Sequence, residues 1–268
     1  MNTDCVKDVI WWGNKILQPN GCSSLKIGPL LLQVSRYSQE WQISYEYDLD
    51  KVEDTNGWEY SANAKPNGAL EKSARYVFQR TNDKFIIQPL LADRPVVSRP
   101  VTPIHLPVGE QITLYLSSPL WLTIKVGEPS TQLFEIPIHR PSDTWFGPST
   151  VEGELCYASR THGLLNLEEL PQRSHRAITP VLIINQADSE LLLERVSLPV
   201  PYLSLFGGIN GSLWSEAITL VREEGGDMAS LKIDKGPPTP VENSVLVCNP
   251  RKSSEKNSFY RALNTMFG

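Results

Sequence analysis

Alternation of apolar and polar residues at every second position is the feature that most constrains the fold of this chain. Trp41, Ile43 and Tyr45 stand at alternate positions between polar neighbours. Successive side chains of a strand point to opposite faces of a sheet, so this pattern predicts a strand that is buried on one face. The same pattern returns at 110–118 and 120–126. A chain dominated by this period is predicted to be all-β.

Short apolar runs separated by Gly, Pro and Asn turns continue along the chain. The segments 74–80 and 84–92 are predicted to pair as a hairpin. The overall pattern predicts two packed β-sandwich-like halves with a short C-terminal helix. The halves are an N-terminal β domain at 1–128 and a C-terminal β domain at 129–235. A Pro-rich linker and an amphipathic tail helix follow at 236–268.

The composition is that of an ordinary globular protein with a sizeable core. Of the 268 residues, 40% are hydrophobic and 21% are charged, which separates the chain from disordered sequences. The net charge of −5 and the lack of a basic face argue against nucleic acid as a partner. No apolar run approaches the ~20 residues of a membrane span. Four scattered cysteines and an N-terminus without signal-peptide features predict reduced thiols and a cytoplasmic location.

Histidine and cysteine residues do not form a recognisable catalytic or metal-binding motif. His139, Cys156, His162 and His175 are widely and irregularly spaced, whereas zinc ligands usually come in closely spaced pairs. The G-x-S-x-G motif of hydrolases is absent. We therefore predict no catalytic, cofactor-binding or metal-binding residues, no cofactor and no enzymatic activity.

A hydrolase of unknown specificity stays open as a second alternative function. Such an enzyme would need a cleft that gathers one of the following sets of side chains: His139, Asp143 and His162, or Glu152 with Glu154, or Glu168 with Glu169. Adjacent acids are far more often solvated surface residues, and Pro141 favours a loop between His139 and Asp143.

Two of the seven tryptophans are candidates for ligand stacking. Trp41 and Trp121 lie in alternating strands, where packing in the core is expected. Trp58 and Trp145 lie in predicted loops, so their rings are the better candidates for an exposed stacking surface. A carbohydrate-binding or small-molecule-binding β-sandwich module is therefore the first alternative function.

The C-terminal segment combines a Pro-rich break with the periodicity of a helix. Phe259, Leu263, Met266 and Phe267 would share one face of such a helix. Two interpretations stay open, since the helix either docks on its own domain or enters a groove of a partner. The residues predicted to dock a partner are Phe259, Tyr260, Leu263, Met266 and Phe267.

Three blocks of residues, in this order, resemble a known family. They are Trp12-Gly13 with Ile27-Gly28-Pro29-Leu30 and Glu40-Trp41, then Pro103–Pro107 leading to Ile112–Leu116, then Trp145-Phe146-Gly147-Pro148 leading to Gly153-Glu154-Leu155-Cys156-Tyr157. The family is the one catalogued as domain of unknown function 432, which groups uncharacterised archaeal and bacterial proteins. The resemblance covers about residues 11–235. No arginine precedes Tyr157, where the family's third block has one.

The resemblance implies a partner rather than an activity. The family has no established function, so no catalytic residues are transferred from it. Its members are often encoded beside small-conductance mechanosensitive channel proteins, which would suit an accessory cytoplasmic subunit. We therefore predict a non-enzymatic cytoplasmic interaction or regulatory protein. Its predicted partner is a protein, and the resemblance points to the cytoplasmic part of such a membrane channel.

Overall fold

The computed structural model of the chain describes residues 10–48, 57–68, 70, 72–147, 149–161, 164–169, 171, 173–224, 228–241, 243–253 and 258–262. Within these ranges the chain is all-β, as the alternating pattern predicts. Two short 3-10 helices, Leu167–Glu169 and Val200–Tyr202, accompany the strands there. None of the described segments forms a helix with the length and apolarity that crossing a membrane requires.

The strands are numbered in chain order. They are β1 (Gly13–Ile16), β2 (Cys22–Ile27), β3 (Leu30–Arg36), β4 (Glu40–Tyr47), β5 (Trp58–Ser61), β6 (Lys72–Val77), β7 (Lys84–Leu91), β8 (Val96–Pro100), β9 (Ile104–Leu106), β10 (Gln111–Val126), β11 (Thr131–Pro137), β12 (Asp143–Phe146), β13 (Glu154–Thr161), β14 (Arg176–Asn185), β15 (Leu191–Leu193), β16 (Val196–Leu198), β17 (Leu205–Gly207), β18 (Leu213–Ser215), β19 (Ala217–Arg222), β20 (Met228–Asp234), β21 (Val245–Cys248) and β22 (Ser258–Ala262).

The strands form one large central sheet and three smaller sheets. The central sheet has eleven strands and runs β1-β7-β10-β14-β18-β17-β21, with β11 beside β10 and with β19, β20 and β22 extending from β14. A five-stranded antiparallel sheet has the order β5-β2-β3-β4-β6. A four-stranded sheet has the order β12-β13-β8-β16, and β9 pairs with β15.

The five-stranded sheet contains a turn that the sequence pattern conceals. The run 25–34 reads as one strand with a bulge, but Gly28 and Pro29 form a two-residue connection between β2 and β3. Gly28 has a φ of +51°, a backbone conformation that glycine adopts without a steric penalty. The turn also brings Gly28 against His175, because a Cβ at Gly28 would lie 3.2 Å from the imidazole Cγ.

The predicted hairpin between 74–80 and 84–92 is wrong. Strand β6 pairs with β4, whereas β7 pairs with β1 and β10. The connection between them carries the chain from the five-stranded sheet to the central sheet. Buried Arg36 fixes this connection, since its guanidinium donates to Thr81 Oγ1 and Thr81 O at 3.0 Å each and to Leu17 O at 2.8 Å.

Strand β10 joins the two predicted halves in one sheet. Residues 120–126 of β10 pair with β7 on one side and with β11 on the other, while residues 111–119 pair with β14. The boundary predicted at residue 128 therefore lies between strands of one sheet that share backbone hydrogen bonds, and the division into two β domains stays a prediction. One hydrophobic cluster contains Ile43 of the five-stranded sheet, Leu122 of the central sheet and Val96 of the four-stranded sheet.

The predicted C-terminal helix is wrong where the structure describes the tail. Ser258–Ala262 is strand β22, and it pairs antiparallel with β20, Phe259 opposite Leu231 and Tyr260 opposite Ser230. Aromatic residues favour strands, and a short isolated helix is only marginally stable, whereas a strand here can pair with the edge of β20. Leu263, Met266 and Phe267 lie outside the described residues.

Candidate functional site

The chain that follows the Pro-rich break returns to the central sheet at two edges. Among the described residues, β21 pairs only with β17, and β22 pairs only with β20. An edge strand presents a row of unpaired N–H and C=O groups, to which another chain can add a strand. The described part of the C-terminal segment therefore supplies backbone edges in place of the predicted helical face.

Apolar side chains are exposed along one of these edges. Val245 and Leu246 of β21 are 62% and 55% exposed, and Ile209 is 74% exposed. Val245 pairs with Gly207 and Leu246 with Phe206, so Ile209 follows two residues after the partner of Val245. We call Ile209, Val245 and Leu246 the β21 patch. Exposed apolar clusters at a sheet edge are typical of interaction surfaces.

Side-chain and backbone hydrogen bonds hold the C-terminal segment against the body of the protein as far as Lys252. Gln88 of β7 donates to Val247 O at 2.6 Å. Arg251 donates to Leu91 O at 2.7 Å and to Glu135 Oε1 at 2.6 Å. The backbone N–H of Lys252 donates to Pro201 O at 2.9 Å. Strand β21 is thus fixed beside β7 at Val247, while Val245 and Leu246 at the start of the strand stay exposed.

Both tryptophans that the sequence suggests for ligand stacking lie in strands rather than in loops. Trp58 is in β5, is partly buried and packs against the main core. Trp145 is in β12, is 43% exposed and pairs with Leu155, which is 46% exposed. Of the two, Trp145 is the side chain that presents its ring to solvent.

The Trp145 ring is held by a tight turn with two glycines. Trp145 Nε1 donates to Ser149 O at 2.7 Å. A Cβ at Gly153 would lie 2.8 Å from Trp145 Nε1, and a Cβ at Gly147 would lie 2.1 Å from Glu152 O. The close approach therefore requires glycine at both positions, which explains the glycines of the third family block in physical terms.

A cleft of about 310 Å³ lies where β2, β3 and β4 meet. Its lining includes Lys26 and Glu46 of opposite charge together with Pro29 and Leu31. Neither Trp58 nor Trp145 lines this cleft. The structure therefore does not combine the stacking candidates with this cleft.

The side chains required by the hydrolase alternative are not shown together. Asp143 is engaged by arginines, since Arg140 Nη2 and Arg94 Nη1 approach its carboxylate at 3.0 and 3.3 Å. Glu168 and Glu169 are exposed on a 3-10 helix, and His162 lies outside the described residues. No group of three or more His, Cys, Asp and Glu residues within the described ranges is placed to hold a metal ion.

A polar cluster that the sequence did not reveal surrounds Arg176 at the start of β14. Arg176 Nε donates to Ser117 Oγ at 2.6 Å, and Nη2 donates to Ser117 O at 2.7 Å and to Ser159 Oγ at 3.0 Å. Ser117 belongs to β10 and Ser159 to β13. The partly buried guanidinium thus joins the central sheet to the four-stranded sheet.

Burial and positive charge shift the titration of the groups near Arg176. Burial is the main cause that lowers the pKa of His175 to about 4, and the charges of Arg176 and Arg173 lower it further. Burial also lowers the pKa of His139, with a contribution from Arg176. The pKa of Arg176 falls to about 10 because of burial and the charge of Arg173. At neutral pH His175 is therefore uncharged and Arg176 is protonated.

Comparison with known proteins identifies a family but no characterised relative. No curated protein and no solved structure matches the chain. A family model described as protein of unknown function (DUF432) matches residues 11–267. The match extends past residue 235, so it includes β21 and β22, which the sequence blocks had left outside the resemblance. The chain therefore belongs to the DUF432 family of proteins of unknown function.

Proposed function

We propose that this protein is a non-enzymatic, cytoplasmic interaction or regulatory protein that binds a protein partner through its C-terminal edge strands. The observation that carries the proposal is that both described strands after the Pro-rich break, β21 and β22, pair through backbone hydrogen bonds with a single described strand each, and that β21 begins with two exposed apolar residues. Each strand thus offers main-chain hydrogen-bonding groups to a strand of a partner.

The β21 patch supports an interaction at β21 in particular. Strand addition takes its affinity from main-chain hydrogen bonds and its specificity from side chains that meet on each face of the new pair. Val245 and Leu246 point to opposite faces of β21 because they are consecutive in a strand, and both are more than half exposed. A partner strand beside β21 would cover apolar side chains on both faces.

The partner suggested by the family resemblance is the cytoplasmic part of a small-conductance mechanosensitive-type channel. A direct test measures binding of the purified full chain to the purified cytoplasmic domain of such a channel by biolayer interferometry. A Leu246→Lys variant places a charge on the edge, a device that natural edge strands use to prevent pairing. The proposal predicts binding by the native chain and a loss of about tenfold or more in affinity for the variant.

A matched control separates edge pairing from a general effect of the added charge. Val108 is 54% exposed in the turn before β10, so Val108→Lys adds the same charge away from β21. This control should bind as the native chain does. Equal loss in both variants, or binding that is unaffected by Leu246→Lys, contradicts partner docking at β21.

Binding of a small molecule is the second candidate function, and the exposed ring of Trp145 favours it. The ring is held by Ser149 O, and Leu155, which pairs with Trp145 and is 46% exposed, extends the apolar surface beside it. A flat, fixed aromatic face suits stacking against a sugar ring. Trp145→Ala should abolish any thermal shift found with a panel of glycans, whereas Trp58→Ala should preserve that shift. A panel without any shift in the native chain removes this candidate.

A further inference from the structure

Arg176 has a terminal guanidinium nitrogen that donates to no described residue. Arg36 and Arg222 are likewise held by neutral oxygens, but both of their terminal nitrogens donate hydrogen bonds. Within the described residues, Arg176 makes hydrogen bonds only to Ser117 and Ser159, through Nε and Nη2, and its Nη1 donates to none of them. The guanidinium is therefore held in place by neutral groups, and its Nη1 is available to a ligand.

The charges near this guanidinium are positive. Arg173 and Arg176 both act on His175, and Arg173 acts on Arg176. The exposed Arg173 precedes the start of β14 by three residues. Two guanidinium groups close enough to repel each other are stabilised when an anion lies between them. The arrangement therefore has a charge that is complementary to an anionic ligand.

A buried polar atom beside the Arg176 cluster has no hydrogen-bond partner among the described residues. It is Ser98 Oγ, on a fully buried residue that pairs in register with Ser159. Buried polar atoms in folded proteins nearly always have a partner, either in the protein or in a bound molecule. This atom is a second, independent indication of a ligand at this junction of β8, β13 and β14.

We propose that Arg176 binds the oxyanion group of a small molecule, with Ser117 and Ser159 fixing the guanidinium and Arg173 contributing the second positive charge. Oxyanions match the paired N–H donors of guanidinium, and these charge-assisted hydrogen bonds are the strong ones. Phosphate, sulfate and carboxylate groups share this chemistry. The site is separate from the C-terminal edge strands, and its test does not depend on them.

The test measures anion binding to the full chain by calorimetry and by thermal melting. Sodium phosphate, sodium sulfate and sodium acetate are each compared with sodium chloride at equal ionic strength, so that general screening is the same in all samples. Sulfate and phosphate raise the melting temperature of proteins in general. The native chain should therefore show, in at least one oxyanion, a larger rise over chloride than the Arg176→Lys variant shows, together with a heat of binding in calorimetry. If this extra rise is larger with phosphate than with acetate, the bound group is tetrahedral, and if it is larger with acetate, the group is a planar carboxylate. Equal rises in the native chain and the variant overturn the proposal.

Three variants locate the binding. Arg176→Lys keeps the charge but loses the planar fork, so it should weaken oxyanion binding by about tenfold. Arg173→Gln changes an exposed side chain and should weaken binding by about threefold or more without affecting folding. The matched control is Arg160→Gln, since Arg160 is exposed and lies next to Ser159 on β13. If Arg160→Gln weakens binding as much as Arg173→Gln does, the oxyanion binds the outer surface and the proposal is wrong.

Discussion

Gln88 Nε2 donates a hydrogen bond of 2.6 Å to the carbonyl oxygen of Val247, joining β7 to β21 across 159 positions of the sequence. The two strands stand near opposite ends of the strand order of the central sheet. The central sheet therefore curves so that β21, the last strand in the order, lies beside β7, the second strand. The contact places β21 firmly on the body of the protein, and it makes the C-terminal segment a part of the fold as far as Lys252.

The first prediction concerns where the tail can be removed. Deleting residues 254–268 removes β22 but keeps Arg251 with its bonds to Leu91 O and Glu135. Deleting 250–268 removes those bonds as well, and hydrogen bonds to charged groups contribute about 1.5–3 kcal/mol each. The longer deletion should therefore lower the thermal midpoint by several degrees more than the shorter one, as measured by circular dichroism. Equal midpoints would show that Arg251 does not stabilise the fold.

The second prediction concerns the turn that supports Trp145. Gly147→Ala would place a methyl group 2.1 Å from Glu152 O, so the backbone of the turn must shift. Overpacking of this kind typically costs about 1–3 kcal/mol, and we expect that loss in urea unfolding, together with a change in tryptophan fluorescence. Gly57→Ala is the control, because a Cβ at Gly57 meets nothing within 4 Å. A Gly147→Ala variant as stable as this control would contradict the geometry of the turn.

The third prediction concerns the pH dependence that His175 gives to folding. Its folded pKa of about 4 lies below the ordinary value of about 6.5. As the pH falls below about 6.5, His175 therefore becomes protonated in the unfolded chain, whereas in the folded chain it stays uncharged until the pH approaches 4. The stability that this residue contributes is complete above that pH and is lost progressively towards pH 4. Between pH 7 and pH 5 the loss is about 2 kcal/mol.

Urea unfolding at these two pH values measures that loss. In a His175→Gln variant the difference between pH 7 and pH 5 should shrink by about 2 kcal/mol relative to the native chain. A substitution at the exposed His105, His105→Gln, serves as the control. An unchanged difference in the His175 variant would mean that the buried imidazole is protonated as readily in the folded protein as in the unfolded chain.

The fourth prediction concerns a hydrogen bond between two sheets. Tyr47 of β4 donates from its hydroxyl to Pro137 O of β11 at 2.5 Å. Tyr47→Phe should lower the free energy of unfolding by about 1 kcal/mol. Tyr45→Phe is the matched control on the same strand, since the Tyr45 hydroxyl donates to no described residue. Equal effects of the two substitutions would show that the bond to Pro137 contributes nothing.

The sequence pattern predicts the strands better than it predicts their partners. Alternation correctly places β4, because a half-buried strand needs only a local period of two, but it divides the continuous strand β10 into two runs, 110–118 and 120–126. It fails for β6 and β7, which are adjacent in sequence but lie in different sheets. Their separation depends on Arg36 and its bonds to Thr81 and Leu17. Such bonds between distant residues leave no periodic signal in the chain.

The C-terminal tail is a second case in which a local sequence pattern does not predict the pairing of the backbone. The spacing of Phe259 and Leu263 favours a helix in isolation, yet the backbone of Phe259 pairs with Leu231 in β20. Tertiary context overrides a short local pattern of this kind. The cluster around Arg176 also has no sequence signal, because Ser117, Ser159 and Arg176 meet only when three strands come together.

The central claim is that a protein partner pairs with the exposed start of β21, and hydrogen–deuterium exchange of the full chain with and without the bound partner tests it most directly. The amides of Val245 and Leu246 should become protected in the complex, while those of β6, an edge strand of the five-stranded sheet, should exchange as before. Unchanged exchange in β21, with protection confined to the turn around Trp145 or to other surfaces, would contradict the claim.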